Sequence, residues 1–419
     1  MPGNDMPKPT FVVIGASTAG TYAAVTLRRE GFDGDVILIG AERELPYARP
    51  PLSKEYLQRE RGRERLLLWP EAFYSDQDIA LRLGRKVIRV TPRERELRLD
   101  SGETIRFDTL LIATGMQPRR LSVPGNDLEN VFYLRTLRDC ERIAGTCTPG
   151  SRAVIIGAGF IGMEVAASLR EREVEVSIVH QGKVALAHAI GEEVGRILTE
   201  YHKEQGVDFR PESELESIEG DKKAERVILK SGDTIECQSV IIGIGAVPQA
   251  DFLADSGVEI DHGIPVDEFC RANVDGIFAA GDVTRFHHPV AGKSIHVEHW
   301  DHARLHGMAA ARNMLGAQVP YCPIPFFWSD QYDLNIQFVG FPAPYTDVVF
   351  RGDVGEHFFS AFLLAERRLI GAVCFNRWRD CRASKRLIEE GIQLDPEKLK
   401  DEDLPLESLP ATGFLGDAA

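Results

Sequence analysis

A chain of 419 residues is longer than one ordinary core holds, so two or three domains are expected. Hydrophobic residues make up 43% and charged residues 27%, the composition of a globular protein. A net charge of −15 argues against a non-specific nucleic-acid binder, which must neutralise phosphates with Lys and Arg, yet leaves room for a local basic patch. No run of about 18 apolar residues occurs, so no membrane-spanning helix is expected. Residues 1–10 are polar and carry no apolar run of the signal-peptide kind. The seven cysteines, at 140, 147, 237, 270, 322, 374 and 381, are odd in number and contain no C-x-x-C pair. They read as reduced thiols, and a cytoplasmic location is expected. Leu409-Pro410-Ala411-Thr412-Gly413 matches a cell-wall sorting pentapeptide, but no apolar anchor or basic tail follows it, so anchoring is not expected.

The first element is the β-branched run Phe11-Val12-Val13-Ile14, suited to a buried parallel strand. Gly15-Ala16-Ser17-Thr18-Ala19-Gly20 follows at once, then a helical run over 21–29 and a second strand over 35–39. This is the strand, glycine turn, helix, strand order of a dinucleotide-binding unit. The first glycine permits the tight turn, and the helix start offers N–H groups to a pyrophosphate. Ser17 stands where the pattern prefers glycine. The same order recurs further on: a strand over 153–156, the complete turn Gly157-Ala158-Gly159-Phe160-Ile161-Gly162, a helix from 163 and a strand over 174–179. Two such units, each in the right context, are far more specific than a lone glycine motif. They point to one flavin fold and one nicotinamide fold.

Three apolar strands then run into glycine: Leu110-Leu111-Ile112-Ala113-Thr114-Gly115, Val240-Ile241-Ile242-Gly243-Ile244-Gly245 and Gly276-Ile277-Phe278-Ala279-Ala280-Gly281-Asp282. The first two mark exits from the two units. A carboxylate at the end of the third, Asp282, is placed to accept from a ribityl hydroxyl. The chain thus leaves the first unit, builds the second and returns. Strands are expected around 334–340, 347–351 and 358–375, with a helix near 382–391. The acidic, proline-bearing tail after Asp395 is expected to be loosely ordered.

Pro46-Tyr47-Ala48-Arg49-Pro50-Pro51-Leu52-Ser53-Lys54, Tyr133-Leu134-Arg135-Thr136, Val297-Glu298-His299-Trp300 and Phe327-Trp328-Ser329-Asp330-Gln331-Tyr332 complete the pattern. With these segments the chain, over about residues 10–395, resembles the two-dinucleotide-fold flavoprotein reductases. Within them it is most similar to the FAD-dependent ferredoxin reductases of bacterial oxygenase systems, of the putidaredoxin reductase and biphenyl-dioxygenase ferredoxin reductase type. It resembles apoptosis-inducing factor more distantly, through His299-Trp300-Asp301-His302-Ala303. The resemblance implies an α/β fold with two Rossmann-like domains and a C-terminal α+β domain. The FAD domain would span 8–117 and 246–325, the NAD(P) domain 118–245 and the C-terminal domain 326–400, with an acidic tail over 401–419.

It also implies FAD held by Gly15, Ala19, Gly20, Arg49, Lys54, Val87, Arg135, Asp282 and Trp300, with Ser17, Pro51, Ala113, Thr114, Gly115, Gly281, Glu298, His299 and Trp328 as further cofactor-binding residues. Family members carry Asp-Glu after the second strand, to hold the adenosine ribose. Here Ala41-Glu42 stands there, so Glu42 replaces that contact only in part. NAD(H), with NADP(H) left open, would lie on Gly157, Gly159, Phe160, Ile161, Gly162, His180, Lys183 and Gly245. Lys54, at the flavin edge, would stabilise the negative charge of the reduced flavin. Glu164 would pair with Lys54 and orient the carboxamide, the alternative being a helix-start carboxylate that satisfies the dipole.

His296, His299, His302 and His306 share helical spacing, but no cysteine or carboxylate set completes a familiar ligand group, and no metal is expected. Residues 42–58 contain no cysteine, so an internal thiol relay beside the flavin is missing and electrons must leave directly for an external acceptor. Arg377, Trp378, Arg379, Arg382, Lys385 and Arg386 form a basic run in an acidic chain, either a solvated helix start or a docking surface for an acidic iron–sulfur protein. The expected function is NAD(P)H:ferredoxin oxidoreduction, with a small ferredoxin as partner and no nucleic acid or membrane. A NADH oxidase or quinone reductase, and a redox-switched interaction protein like apoptosis-inducing factor, are the alternatives. A monomer or a homodimer is expected.

Overall fold

The structure is a computed structural model that describes residues 8–342 and 344–409. The start of the chain before Lys8, and the pentapeptide beyond Leu409, lie outside the described residues. The chain folds into two compact units. One is formed by the described residues of Met1–Ala48, with Arg63–Gln117 and Ala246–Pro323; the other by Arg49–Gly62, Pro118–Gly245 and the described residues of Ile324–Ala419.

The first unit is built on a five-stranded parallel sheet in the order Ile277–Ala279, Thr109–Ile112, Thr10–Ile14, Asp35–Gly40, Ile79–Leu83. Val12, Val13, Leu38, Leu110, Leu111 and Ile112 are all but sealed from solvent, as expected of a parallel sheet covered on both faces. The helix Thr18–Arg29 packs along the helix Trp300–Met314, and Gly307 allows that approach because a Cβ there would strike the Ala19 carbonyl. An antiparallel meander, Val87–Thr91, Glu96–Leu99 and Thr104–Arg106, interrupts the parallel run.

The second unit repeats the design. Its parallel sheet runs Asp208–Arg210, Glu175–Val179, Arg152–Ile156, Ser239–Ile242, Val131–Tyr133, again with a meander, Leu215–Glu219, Arg226–Leu229 and Thr234–Glu236. The two sheets share one strand order. In the first unit the strand at the far edge is contributed last by the chain; in the second it is contributed first. A five-stranded antiparallel sheet follows, in the order Phe326–Gln331, Leu334–Gly340, Arg368–Phe375, Phe358–Ala365, Asp347–Asp353, closed by the helix Trp378–Glu390. This is the expected α/β class with a C-terminal α+β portion.

Five sequence expectations need correction. The apolar stretch 358–375 is two strands, turned at Glu366 and Arg367, both with positive φ although neither is glycine. A further strand lies over Phe326–Gln331, and the helix starts at Trp378 rather than 382. The segment Arg49–Gly62, expected inside the first domain, belongs to the second unit. It leaves and rejoins the first unit at a bridge between Tyr47 and Leu67, reinforced by Ala48 N–H donating to the Leu66 carbonyl and Leu68 N–H to the Pro46 carbonyl. Finally, residues 396–409 are not loose. Pro396–Lys400 is a helix capped by Asp395, Leu399, Leu406 and Leu409 are buried, and the buried Arg351 guanidinium donates to the carbonyls of Leu399, Asp401, Glu402 and Leu404. Composition suggested disorder; one arginine reading four carbonyls outweighs it.

Several imidazoles are buried in the neutral form, His202, His302 and His306 among them. Burial pushes His202 down to about 4 and His306 to about 3, and holds His302 well below its ordinary range. A folded pKa depressed below the unfolded value of about 6.5 means the unfolded chain binds more protons as pH falls. The stability these rings contribute is complete above that value and is lost as pH drops through it toward 4. At pH 5 the loss is on the order of 2 kcal/mol each for His202 and His306. Urea unfolding should therefore show a clearly lower midpoint at pH 5 than at pH 7; an unchanged midpoint would contradict the buried, neutral assignment.

Candidate active site

Each unit opens on a glycine turn whose geometry follows from its first residue. Gly15 has φ +115° and Gly157 φ +104°, values open to glycine at no steric cost. A Cβ at Gly15 would run into the Ala113 carbonyl of the neighbouring strand, and one at Gly157 into the Gly243 carbonyl. The turns deliver the chain into the helices Thr18–Arg29 and Phe160–Glu171. Neither helix has an acidic residue in its first turn or a side-chain cap, whereas Glu192–Glu204 carries Glu192 and Glu193 and Leu137–Thr146 is closed by a Thr136–Asp139 capping box. A helix start without its own carboxylate suits an incoming anion. Gly159 faces open space, and Ser17 occupies the matching place in the first turn. The local structure therefore fits a pyrophosphate at each turn.

Around the first turn, Ala19 and Gly20 begin the helix, and Ala113, Thr114 and Gly115 leave the adjacent strand. Thr114 Oγ1 donates to the Gln249 carbonyl at 2.7 Å, fixing that crossing. Glu42, just past the second strand, accepts from Tyr47 Oη at 2.5 Å. Val87 is buried at the start of the meander. Gly281 N–H donates to His306 Nδ1 at 3.2 Å, which pins the turn that carries the half-buried Asp282. Trp300 heads the helix Trp300–Met314 after His299, its ring edge-on to Tyr22 at 6.3 Å, while Glu298 is exposed. His302 Nδ1 pairs with Tyr321 Oη at 2.8 Å. Among the described residues no group of His, Cys, Asp or Glu is arranged to hold a metal ion.

The remaining candidates lie in the second unit, and here the geometry is sharpest. Lys54 follows a short turn, Pro50–Ser53, that begins on Pro50 and Pro51. Its Nζ lies 2.7 Å from Glu164 Oε2, and the two side chains are only 7% and 5% exposed. Ser53 Oγ donates to the same carboxylate oxygen, and Ser329 Oγ donates to Oε1 at 2.6 Å. Glu164 sits one turn into Phe160–Glu171, past the dipole-facing positions, so it is not the helix-start carboxylate of the alternative reading.

Other bonds tie the segment down. Ser168 Oγ donates to the Ser53 carbonyl at 2.7 Å, Cys140 Sγ to the Leu52 carbonyl at 3.1 Å, and Arg49 Nη1 to the Arg135 carbonyl at 2.5 Å. Phe160 packs edge-on against Phe327, Ile161 is 43% exposed, Trp328 is half-buried and Gly245 has open space before it. Gly162 is held close, since a Cβ there would meet the Gly157 carbonyl. Burial lowers the pKa of His180, with a Val184 backbone bond and His188 as smaller influences, and Lys183 is exposed beside it.

Ser53, Ser329 and Gln331 lie in the segments that carry the resemblance, and Cys140 among the counted cysteines, but the sequence gives none of them a site role. Ser329 and Gln331 stand two apart on one strand, so alternation alone could have placed them on a common face with the segment's other inward residues. Cys140 does lie against the Lys54 segment, although the segment itself has no cysteine. Burial pushes its thiol up to about 12, which leaves it protonated and poorly nucleophilic. All seven cysteines are free.

Two dinucleotide folds, a glycine turn in each, and no reactive dithiol define a reductase that works through bound dinucleotides. Residues 9–307 match the pyridine nucleotide-disulphide oxidoreductase family and residues 326–410 the reductase C-terminal domain, and the chain belongs to that family. It is 36% identical over 400 residues to the ferredoxin–NAD(+) reductase component of the anthranilate 1,2-dioxygenase system of Burkholderia cepacia, covering 95% of this chain and 98% of that one. Putidaredoxin reductase, in the structure of its covalent complex with putidaredoxin, superposes with a TM-score of 0.92 at 30% identity, covering 96% of this chain and 98% of that chain. Human apoptosis-inducing factor 3 is 34% identical over 371 residues, covering 87% of this chain and 60% of that protein. The family uses FAD and NAD(H), and this chain is an NAD(P)H-dependent flavoprotein oxidoreductase.

The buried pair sets a stability test. Removing one partner of such a pair strands the other charge, at a cost of about 3–5 kcal/mol. Lys54→Met should therefore lower the urea midpoint markedly, while the double variant Lys54→Met/Glu164→Leu should recover most of the loss. A single variant as stable as the parent would mean that the pair is solvated.

Proposed function

We propose that the chain is an FAD-dependent NADH:ferredoxin oxidoreductase that passes electrons singly to a [2Fe–2S] ferredoxin feeding an oxygenase. The observation that carries this reading is the sealed Lys54–Glu164 pair beside the second glycine turn, with the one thiol against that segment, Cys140, held protonated by burial. FAD would be held by the Gly15 turn, Ser17, Ala19, Gly20, Glu42, Val87, residues 113–115, Asp282 and Trp300, with Arg49, Pro51, Lys54, Arg135 and Trp328 contributing. NAD(H) would be held by the Gly157 turn, His180, Lys183 and Gly245. When bound, FAD supplies the change from a two-electron donor to one-electron acceptors. Lys54 holds a fixed cation where negative charge develops, and Glu164 keeps that ammonium oriented. The free thiols fit a reducing, cytoplasmic compartment.

The basic run supplies the partner surface, in reduced form. Arg377 is committed internally: it pairs with Asp380 at 2.7 Å and with Glu402. Arg386 pairs with Glu390 and donates to the carbonyls of Leu406 and Glu407. Arg379 and Arg382 remain exposed; Arg379 lies over the ring of Trp378, itself 55% exposed, and Phe358, 51% exposed, lies under Arg377. Two exposed aromatics with two cations suit an acidic protein surface.

Replacing Arg379 and Arg382 with Glu should cut kcat/KM for an acidic ferredoxin about tenfold at low salt, less at high salt. Ferricyanide reduction should be spared, because a small ion needs no docking surface. Equal losses with both acceptors would move the defect to the cofactor site, and Arg377→Ala should act on stability instead.

Coenzyme choice rests on His180. The strand Glu175–Val179 ends without the acidic residue that accepts from both ribose hydroxyls and repels a 2′-phosphate. A ring kept neutral by burial grips a phosphate weakly, which leaves Lys183 as the one charge on that stretch. NADH and NADPH should therefore give kcat/KM values within about tenfold, or roughly 1.4 kcal/mol. His180→Glu should create a clear NADH preference. A thousandfold bias in the parent would refute this role for position 180.

A further inference from the structure

Glu164 has both carboxylate oxygens engaged, and the donor to Oε1 is the end of a longer line. Ser329, fully buried, donates to Oε1 at 2.6 Å. Gln331, also buried, donates its amide to Ser329 Oγ at 2.9 Å, and its carbonyl oxygen lies 2.8 Å from His202 Nε2. His202 has no exposed surface and belongs to the helix Glu192–Glu204, on a different stretch of chain from the strand Phe326–Gln331.

The direction of every bond in this line follows from chemistry. An ionised carboxylate only accepts, so Ser329 spends its one hydroxyl proton on Glu164 and receives the Gln331 amide on a lone pair. With the amide so turned, Gln331 Oε1 needs a donor, which fixes the Nε2–H tautomer of His202. The other ring nitrogen, Nδ1, is then a bare lone pair, and it is indeed buried without a hydrogen-bond partner. A neutral ring meets this requirement, and burial keeps His202 neutral. Three side chains thus donate in one sense, each bond polarising the next toward the carboxylate.

We propose that Ser329, Gln331 and His202 are positioning residues for the Lys54–Glu164 pair, a buried line of donors that fixes the orientation of the Glu164 carboxylate and, through it, the Lys54 ammonium. This rests on the reading of that pair as the charge set at the reacting centre. The line reaches the pair only through Glu164. A neutral donor line also suits the task better than another cation, which would compete with Lys54 for the carboxylate. Ser53 and Lys54 hold Oε2, so loss of the line would leave the carboxylate tethered at one oxygen and free to swing about it.

The test uses the FAD-loaded protein and single-turnover reduction by NADH, followed at the flavin absorbance under anaerobic conditions. Ser329→Ala and Gln331→Leu should lower the limiting rate about three- to tenfold, with FAD content and the half-saturating NADH concentration unchanged. Ser329→Thr keeps the hydroxyl and should restore most of the rate. In a Glu164→Gln background, which is itself slow, adding Ser329→Ala should cost less than about twofold, because two changes acting through one group are not additive. Where Ser329→Ala does not fold, Gln331→Leu carries the same comparison in both backgrounds.

A full additional loss in the Glu164→Gln background, or an equal loss in Ser329→Thr, would overturn the proposal and leave the line a packing feature. So would a normal rate in Ser329→Ala beside a slow Glu164→Gln. A Glu164→Gln protein as fast as the parent would remove the reading of the pair itself, a separate and recognisable failure.

Discussion

A carboxylate and an ammonium sealed from water govern the second unit. Taken alone, each charge would be far costlier to bury than any packing gain could offset, so the pair persists only with its hydrogen bonds complete. Glu164 and Lys54 satisfy one another, and Ser53 and Ser329 take up the remaining acceptor capacity. Three stretches far apart in the chain are thereby held to one point: the segment Arg49–Gly62, the helix Phe160–Glu171 and the strand Phe326–Gln331. The same requirement explains why Arg49–Gly62 leaves the unit that flanks it in sequence. Its backbone carbonyls at Leu52 and Ser53 are claimed by Cys140 and Ser168, and its arginine at 49 by the Arg135 carbonyl, all within the second unit.

The duplicated fold shows how one backbone solution serves two nucleotides. In each unit a positive-φ glycine brings the chain against the carbonyl of the adjacent strand and turns it into a helix whose first turn is clear of acid. The two units differ at three positions around these turns. Ser17 replaces the glycine of the first turn, Glu42 is engaged by Tyr47, and His180 stands where an acidic ribose partner is usual. With no C-x-x-C pair in the sequence and Cys140 protonated beside Lys54, the redox work falls to the bound cofactors.

Much of this was legible before any coordinates. Both glycine turns, the parallel strands around them and the return through 276–282 follow from β-branched runs meeting glycine at fixed spacing. Lys54 and Glu164 were reachable only through the family resemblance, because nothing local distinguishes them from solvated charges. What the sequence hid was non-local. Ser329, Gln331 and His202 matter through partners over a hundred residues away, and no periodicity reports a hydrogen-bond line. The tail after Asp395 looked loose by composition, yet Arg351 gathers its carbonyls. The basic run looked uniform, yet Arg377 and Arg386 are spent on Asp380, Glu402 and Glu390, leaving Arg379 and Arg382 to face solvent. Charge counting cannot tell a cation that holds the fold from one that meets a partner.

The most direct measurement is the anaerobic stoichiometry of electron transfer: the FAD-loaded protein is mixed with a limiting amount of NADH and an excess of oxidised [2Fe–2S] ferredoxin. Two ferredoxins should be reduced for each NADH consumed, at a rate that falls as salt rises, because the electrons leave singly to an acidic protein partner. Rapid NADH consumption with oxygen or a quinone, beside a ferredoxin that stays oxidised, would contradict the account.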